Sequence, residues 1–354
     1  MKKANYKILG VMSGTSLDGI DLVYVNFDYK NEWSYKILKA ETSPYPLNWQ
    51  ETLAAAINFS EERLEDLNLK YTQYLAEVIS LFIEKHHITD LDAICSHGHT
   101  IKHEPENQYT LQIGNLEKLA YLTGQKVVCD FRVQDVKLGG QGAPLVPIGD
   151  RLLFSEYKYC LNLGGFANIS TEEKGDRIAY DICAVNTVLN HYAKKLGKEF
   201  DEGGKLASAG ELNEKLLKEL NQLPFYAQKP PKSLGMEWVS EELFPVLEKY
   251  EEDIPAIIHT YSVHIAQQIA RVLDRDENSN VLVTGGGAFN SFIIKELKDN
   301  SPCHFTIPSK EIIDYKEALI FGLLGVLKIR GEINTLKSVT GAEKDHSAGV
   351  IFEL

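Results

Sequence analysis

The sequence predicts an α/β protein of two domains, each a mixed sheet with helices on both faces. Its 354 residues suffice for about two domains with ample cores. Apolar runs of strand length alternate with helical stripes along most of the chain. A strand, Gly-rich turn, strand pattern occurs twice, around Gly14 and around Gly164, once in each half.

The first strand begins at Tyr6-Lys7-Ile8-Leu9 and runs into Gly10-Val11-Met12-Ser13-Gly14-Thr15-Ser16-Leu17-Asp18-Gly19-Ile20-Asp21. Residues 20–27 give a second strand with rough period-two alternation, and 33–40 a third, so an antiparallel meander is expected. The turn suits a phosphate. Gly14 and Gly19 let backbone N–H groups approach, Ser13, Thr15 and Ser16 offer hydroxyls, and Asp18 can hold a metal ion or its water. It is not a P-loop, since no G-x-x-x-x-G-K-[ST] is present. Taken alone, it reads equally as a tight hairpin with polar turn residues.

Residues 47–57 read as a helix with Asn48 as its cap, and 61–86 as a long helix. The apolar stripe of the latter is Leu64, Leu67, Tyr71, Tyr74, Leu75, Val78, Leu81 and Phe82. Strand 91–95 ends in Ser96-His97-Gly98-His99-Thr100; strand 109–113 turns into a helix capped by Asn115; strand 126–130 follows. Residues 1–130 form the expected first domain, with the tail from about 335 to 354 able to pack back on it. Residues 131–147 are rich in Gly and Pro but carry Arg132, Asp135 and Lys137, which suits a cleft-lining crossover better than a plain linker.

Residues 131–334 form the expected second domain. Strands 159–163, 167–171 and 178–183 repeat the meander around Gly164, Gly165 and Asn168, and helix 186–196 follows. Pro230-Pro231-Lys232-Ser233-Leu234-Gly235 is a rigid loop. Helix 255–273 carries Ile258, Tyr261, Ile265, Ile269 and Val272 on one face. Strand 280–284 ends in Gly285, Gly286 and Gly287 before helix 291–297, and 317–329 is a final buried helix.

Net charge is −13, from 37 basic and 50 acidic residues, which disfavours nucleic-acid and anionic-membrane partners. The longest apolar run, 318–327, is half a membrane span. Residues 1–5 are followed at once by a strand pattern and not by a signal h-region, so a cytoplasmic protein is expected. Cys95, Cys129, Cys160, Cys183 and Cys303 form no C-x-x-C and sit mostly in apolar runs, so buried free thiols in a reducing, cytoplasmic setting are expected.

Asp181 ends a strand just before a helix, where a carboxylate can act as general base or cap the helix. His97 and His99 have H-x-H zinc spacing but no third ligand at a matching distance, so hydrogen bonding to a sugar or phosphate fits better. Arg132 and Asp135 read either as contacts to a substrate carboxylate and a metal or hydroxyl, or as an inter-domain ion pair.

Two Gly hairpins that clamp a polyphosphate, with a Gly285–Gly287 turn that seats a nucleoside, resemble the layout of the sugar kinase, actin and Hsp70 superfamily: an actin-like ATPase fold with a nucleotide cleft. In detail the chain resembles the anhydro-N-acetylmuramic acid kinase family. Matching blocks run nearly end to end: the first hairpin, residues 96–105, Gln112-Ile113-Gly114-Asn115, Asp130-Phe131-Arg132 with Asp135, and residues 139–147. Residues 162–169, residues 284–290, Lys316-Glu317-Ala318 and Thr340-Gly341-Ala342 also match.

The resemblance implies a homodimer that uses ATP and Mg²⁺ to open and phosphorylate a small amino sugar in peptidoglycan recycling. It implies Asp181 as base, the stretch from Gly14 to Asp21 as the ATP-phosphate loop, Thr100 and Glu317 as sugar contacts, and Arg132 as a cleft contact. With these go His97 and Asn186 on the sugar, Gly164, Gly165, Asn168, Gly285, Gly286 and Gly287 on the nucleotide, and Asp18 on the metal. The chain departs from the family at two places. Asp-Thr-Gly-Pro-Gly-Asn is Asp181-Ile182-Cys183-Ala184-Val185-Asn186 here, and the Gln of Gly-Gln-Thr is His99. Losing two glycines removes close backbone approach, but Asp181 and Asn186 remain, and an active kinase is expected. The alternatives are a kinase for another sugar, a non-catalytic ATP-binding sensor, and a zinc hydrolase built on His97 and His99.

Overall fold

The computed structural model describes residues 2–273 and 278–353. The chain divides into two compact units, Met1–Leu153 with Tyr315–Leu354, and Phe154–Asp314.

The first unit contains β1 (Asn5–Ser13), β2 (Gly19–Tyr29), β3 (Trp33–Pro44), β4 (Ala93–Glu104), β5 (Tyr109–Ile113) and β6 (Val127–Cys129). The sheet order is β3-β2-β1-β4-β6, extended by the terminal strand Val350–Phe352 on β6, with β5 paired to β4. The β1-β2-β3 meander is antiparallel, and β4 and β6 run parallel to β1 and β4 respectively. Strand β1 is apolar on both faces because both are covered. Leu9 and Val11 join Tyr71, Leu75 and Ile79 of helix Glu61–Lys85 in one core. On the other face Gly10 meets helix Lys310–Arg330, so closely that a Cβ would run into the Ala318 carbonyl.

Three local expectations differ. Leu81 is 65% exposed and lies off the stripe of its helix. Asn48 sits inside helix Leu47–Ala55, which Pro46 precedes. Helix Lys118–Thr123 follows Glu117, while Asn115 donates its side-chain amide to the His97 carbonyl at 3.3 Å.

Strand β4 continues through the polar block that the sequence placed after it. Val11 pairs with Ser96 and Ser13 with His99, so β4 carries one extra residue, and Gly98 absorbs it at φ +74°. This bulge breaks the two-residue alternation. His97 packs on Phe321 and hydrogen-bonds Arg132, whereas His99 packs on Tyr45 and Tyr71. The two histidines therefore serve different partners. No metal-binding group of three or more His, Cys, Asp or Glu exists among the described residues, which removes the zinc reading.

Residues 131–153 fold with the first unit, not with the second as the sequence suggested, and so do 315–334. Side chains tie them there. Asp135 is fully buried and accepts the Gly142 N–H at 2.7 Å and the Thr340 hydroxyl at 2.8 Å. Asp135 is thus a structural tie between a loop and the C-terminal segment, neither a metal ligand nor half of an Arg132 ion pair. Lys316 and Asp150 form a second buried tie at 2.7 Å. Thr340→Val should cost about 1.5–3 kcal/mol, the range for a hydrogen bond to a charged group, read as a lower urea midpoint.

The second unit contains β7 (Tyr159–Leu163), β8 (Phe166–Glu173), β9 (Asp176–Ala184), β10 (Asn280–Thr284) and β11 (His304–Thr306), in the order β9-β8-β7-β10-β11. This repeats the order of the first unit, with β7-β8-β9 antiparallel and β10 and β11 parallel. Its core joins Leu161, Leu163, Ile169 and Ile182 to helices Asn186–Lys195 and Ile254–Val272, whose Ile258, Tyr261, Ile265 and Ile269 are fully buried. All five cysteines are buried, and none is in a disulfide. Among the described residues no helix is long and apolar enough to cross a membrane.

Candidate active site

In the first unit the β1–β2 turn holds Gly14 to Asp18. Thr15, Ser16 and Asp18 are exposed, and the Ser16 hydroxyl donates to Asp18 Oδ1 at 2.7 Å. Leu17 takes φ +61° to close the turn. Gly14 has open space where a Cβ would sit, apart from Ser16 Oγ at 3.4 Å. The structure gives the neighbouring residues packing roles. A Cβ on Gly19 would lie 2.5 Å from the Ser43 carbonyl, Asp21 accepts from Thr42 Oγ1 at 2.5 Å, and Ser13 is buried among side-chain partners.

Arg132 and His97 form a second group. Arg132 Nε donates to His97 Nε2 at 2.8 Å and Nη1 to the Gly142 carbonyl at 2.6 Å; His97 Nδ1–H donates to the Gly98 carbonyl at 2.9 Å. Burial, and then the Arg132 charge, hold His97 well below its ordinary pKa, so it is neutral. Both its nitrogens are occupied, which makes it a support for Arg132. Crowding by protein raises the Glu317 pKa against the opposing pull of Arg132 and Lys316, although the side chain keeps a face open to solvent. Thr100 stands half-buried on β4 opposite Gln112.

In the second unit Asp181 lies within β9, directly opposite Asn168. It does not cap a helix: helix Asn186–Lys195 is preceded by Val185, which makes no side-chain cap. Asp181 Oδ2 accepts the Leu234 N–H at 2.9 Å, and its own N–H donates to the Lys232 carbonyl at 3.1 Å. Oδ1 has no hydrogen-bond partner among the described residues. Burial raises the carboxyl pKa, and the Leu234 N–H opposes this. Ile182, Cys183, Ala184 and Val185 are all buried in the core, and Tyr261 donates to the Ala184 carbonyl at 2.9 Å. The apolar residues after Asp181 thus extend the strand into the core.

Gly164, Gly165, Asn186 and the Gly285–Gly287 turn converge at the C-terminal edge of the parallel pair β7 and β10, the usual ligand edge of such sheets. The Gly164 and Gly165 carbonyls accept the N–H groups of Asn186 and Val185 at 3.2 and 2.7 Å, and the Asn186 amide donates to the Leu163 carbonyl at 3.1 Å. A Cβ on Gly285 would lie 2.6 Å from Asn162 Oδ1, and one on Gly287 2.7 Å from Leu163 Cβ. Gly286 faces open space, with Asn186 Nδ2 at 3.8 Å as its nearest neighbour. A pocket of 470 Å³ is lined by Gly165, Asn186, Thr187, Asn190, His191 and Lys194. Another, of 430 Å³, adjoins the turn with Ala288, Phe289, Ile294 and Ile307 as its apolar wall and Lys295 and Lys298 at its side. The sequence reading missed both pockets and the Leu234 tether of Asp181, which join residues far apart in the chain.

Two α/β units of one strand order, each opening on a Gly-rich hairpin, define the actin-like class to which sugar kinases belong. Residues 6–354 match the family described as anhydro-N-acetylmuramic acid kinase, and the chain belongs to that family. It is 34% identical to the anhydro-N-acetylmuramic acid kinase of Haemophilus influenzae, covering 97% of each chain. It is 32% identical to that of Francisella tularensis subsp. novicida, covering 95% of each. Among solved structures it is similar, at 14% identity and a TM-score of 0.47, to component A of (R)-2-hydroxyglutaryl-CoA dehydratase from Acidaminococcus fermentans, covering 93% of this chain and 100% of that one.

Proposed function

We propose that this chain is an ATP-dependent kinase that hydrolytically opens 1,6-anhydro-N-acetylmuramic acid and phosphorylates O6, giving N-acetylmuramic acid 6-phosphate for cell-wall recycling. The observation that carries the reading is Asp181: a tethered carboxylate with one oxygen without a protein partner and a raised pKa, in a chain of this family. Asp181 takes a proton from water as the water oxygen bonds to C1. The C1–O6 bond breaks, and O6 receives the γ-phosphoryl group in place of the proton that an inverting glycosidase supplies from a second carboxyl. Arg132, held by His97 and Gly142, and Glu317 and Thr100 orient the sugar; Asn186 braces the Gly turns.

The residues fit ATP and Mg²⁺. The exposed oxygens of Asp18, Thr15 and Ser16 are hard donors, and Gly14 and Gly286 leave backbone open to phosphate. Gly164, Gly165, Asn168, Gly285 and Gly287 shape the remaining nucleotide contacts, and the apolar wall of Phe289 and Ile307 suits a base. Bound Mg-ATP supplies the phosphoryl group and the charge neutralisation of its transfer.

Incubation with Mg-ATP and the anhydro sugar in ¹⁸O-water should yield a 6-phosphorylated sugar with ¹⁸O at C1 by mass spectrometry. ADP release with another sugar, and none with this one, would favour a kinase of different specificity, for which the apolar Ile182–Val185 stretch is the supporting feature. Nucleotide binding with no sugar-dependent ADP release would favour the sensor reading.

A further inference from the structure

Tyr45, just beyond β3, touches both ends of the β1–β2 turn. Its N–H donates to the Asp18 carbonyl at 3.2 Å, and its hydroxyl lies 2.6 Å from Ser13 Oγ at the turn's start. The same hydroxyl is 2.5 Å from Tyr71 OH, and Ser13 Oγ is 2.7 Å from His99 Nδ1. Ser13, Tyr45, Tyr71 and His99 are 2%, 4%, 0% and 2% exposed, so this is a buried chain of four polar groups.

Counting hydrogens gives a direction that satisfies all four groups. The fully buried Tyr71 hydroxyl must place its hydrogen somewhere, because an orphaned buried donor is costly. Its partners are the Tyr45 hydroxyl and Ser13. One arrangement satisfies all four groups: Tyr71 donates to Tyr45, Tyr45 to Ser13, and Ser13 to His99 Nδ1. The last step needs a neutral imidazole, and burial lowers the His99 pKa to about 4. Two glycines help to build this chain. The Gly98 bulge sets His99 opposite Ser13, and Gly114 presents a bare α-carbon to the Tyr71 ring, where a Cβ would lie 3.0 Å away.

We propose that this relay pins the Gly14–Asp18 turn in its phosphate-binding shape, so that Tyr45 and His99 are positioning residues for nucleotide binding. The proposal rests on the reading of the turn as the ATP-phosphate loop. Tyr45 acts at both ends of the turn, through its backbone on Asp18 and through Ser13 on Gly14.

The test uses the full chain and four variants: Tyr45→Phe, His99→Leu, the double variant, and His99→Gln, whose amide oxygen can still accept from Ser13. MgADP affinity is measured by calorimetry, together with KM for MgATP, KM for the sugar and the melting temperature. Tyr45→Phe and His99→Leu should each weaken MgADP and raise KM for MgATP about threefold to tenfold, the scale of one buried hydrogen bond. KM for the sugar should stay unchanged. The double variant should be little worse than either single one, because both break one chain. His99→Gln should stay within about twofold of the parent. A lowered melting temperature with unchanged nucleotide affinity in Tyr45→Phe would overturn the proposal, and so would full additivity in the double variant. Tyr45→Phe removes one oxygen and keeps the ring, so it decides the matter even where His99→Leu fails to fold. Asp18→Asn separates the two levels. If it leaves MgADP affinity intact, the phosphate-loop reading fails; if it weakens binding and Tyr45→Phe does not, only the pinning fails.

Discussion

Asp181→Asn lowers turnover by about 10²–10⁴-fold, the usual share of a general base, without destabilising the fold. The amide keeps an oxygen for the Leu234 N–H, so loop and strand stay joined. It cannot take a proton from water. The stability side has a definite sign. Burial raises the Asp181 pKa in the folded state, so folding disfavours its ionised form. The stability owed to the neutral carboxyl is full below the unfolded pKa and is lost as pH rises through the folded one. At neutral pH the carboxylate is therefore a cost, which the amide removes. The melting temperature of Asp181→Asn at pH 7 should equal or exceed the parent's, and the gap should close in acid. Catalysis has the opposite sense. The base works ionised, so the acid limb of kcat/KM should fall above the ordinary carboxylate range. An acid limb at the ordinary aspartate position, or a variant that retains activity, would remove Asp181 from this role.

Gly10→Ala should cost at least about 3 kcal/mol, the upper end of overpacking penalties. The new methyl group would overlap the Ala318 carbonyl, which is helix backbone and cannot rotate away. Gly322→Ala is the graded comparison on the same helix. Its methyl would meet Phe27 and Ile8 side chains at 3.3 and 3.4 Å, and alanine gains about 1 kcal/mol of helix propensity over glycine. That change should be nearly neutral. Urea midpoints order the two variants, and a reversed order would mean that helix Lys310–Arg330 does not seat on β1 as described.

The fold was legible where periodicity and turn chemistry agree. Both Gly hairpins, the long helix Glu61–Lys85 and the Ile254–Val272 stripe fall where their residues place them. The lapses have physical causes. Strand β4 hides its polar half because a bulge, set by one glycine, breaks the alternation that marks a strand. Residues 131–147 look like a crossover because the ties that hold 131–153 in place, Asp135 to Thr340 and Asp150 to Lys316, join positions remote in sequence. The same holds for the candidate site. Single residues such as Asp181 and Gly286 stand out from local pattern. The Leu234 N–H that tethers Asp181 and the tyrosine chain behind Ser13 exist only once the chain is folded.

The first unit is built from two separated stretches of chain, and the second is continuous. Synthesis from the N-terminus meets these in an awkward order. Strands β1 and β4 leave the ribosome early, yet the part of helix Lys310–Arg330 that covers Gly10 and Cys95, from Ala318 to Gly325, comes after the whole of residues 154–314. The strand that caps β6, Val350–Phe352, comes later still. The inserted unit has all its strands in hand well before this and can fold as emerging domains do. Until residues 315–330 arrive, the first unit waits with one face of its sheet bare.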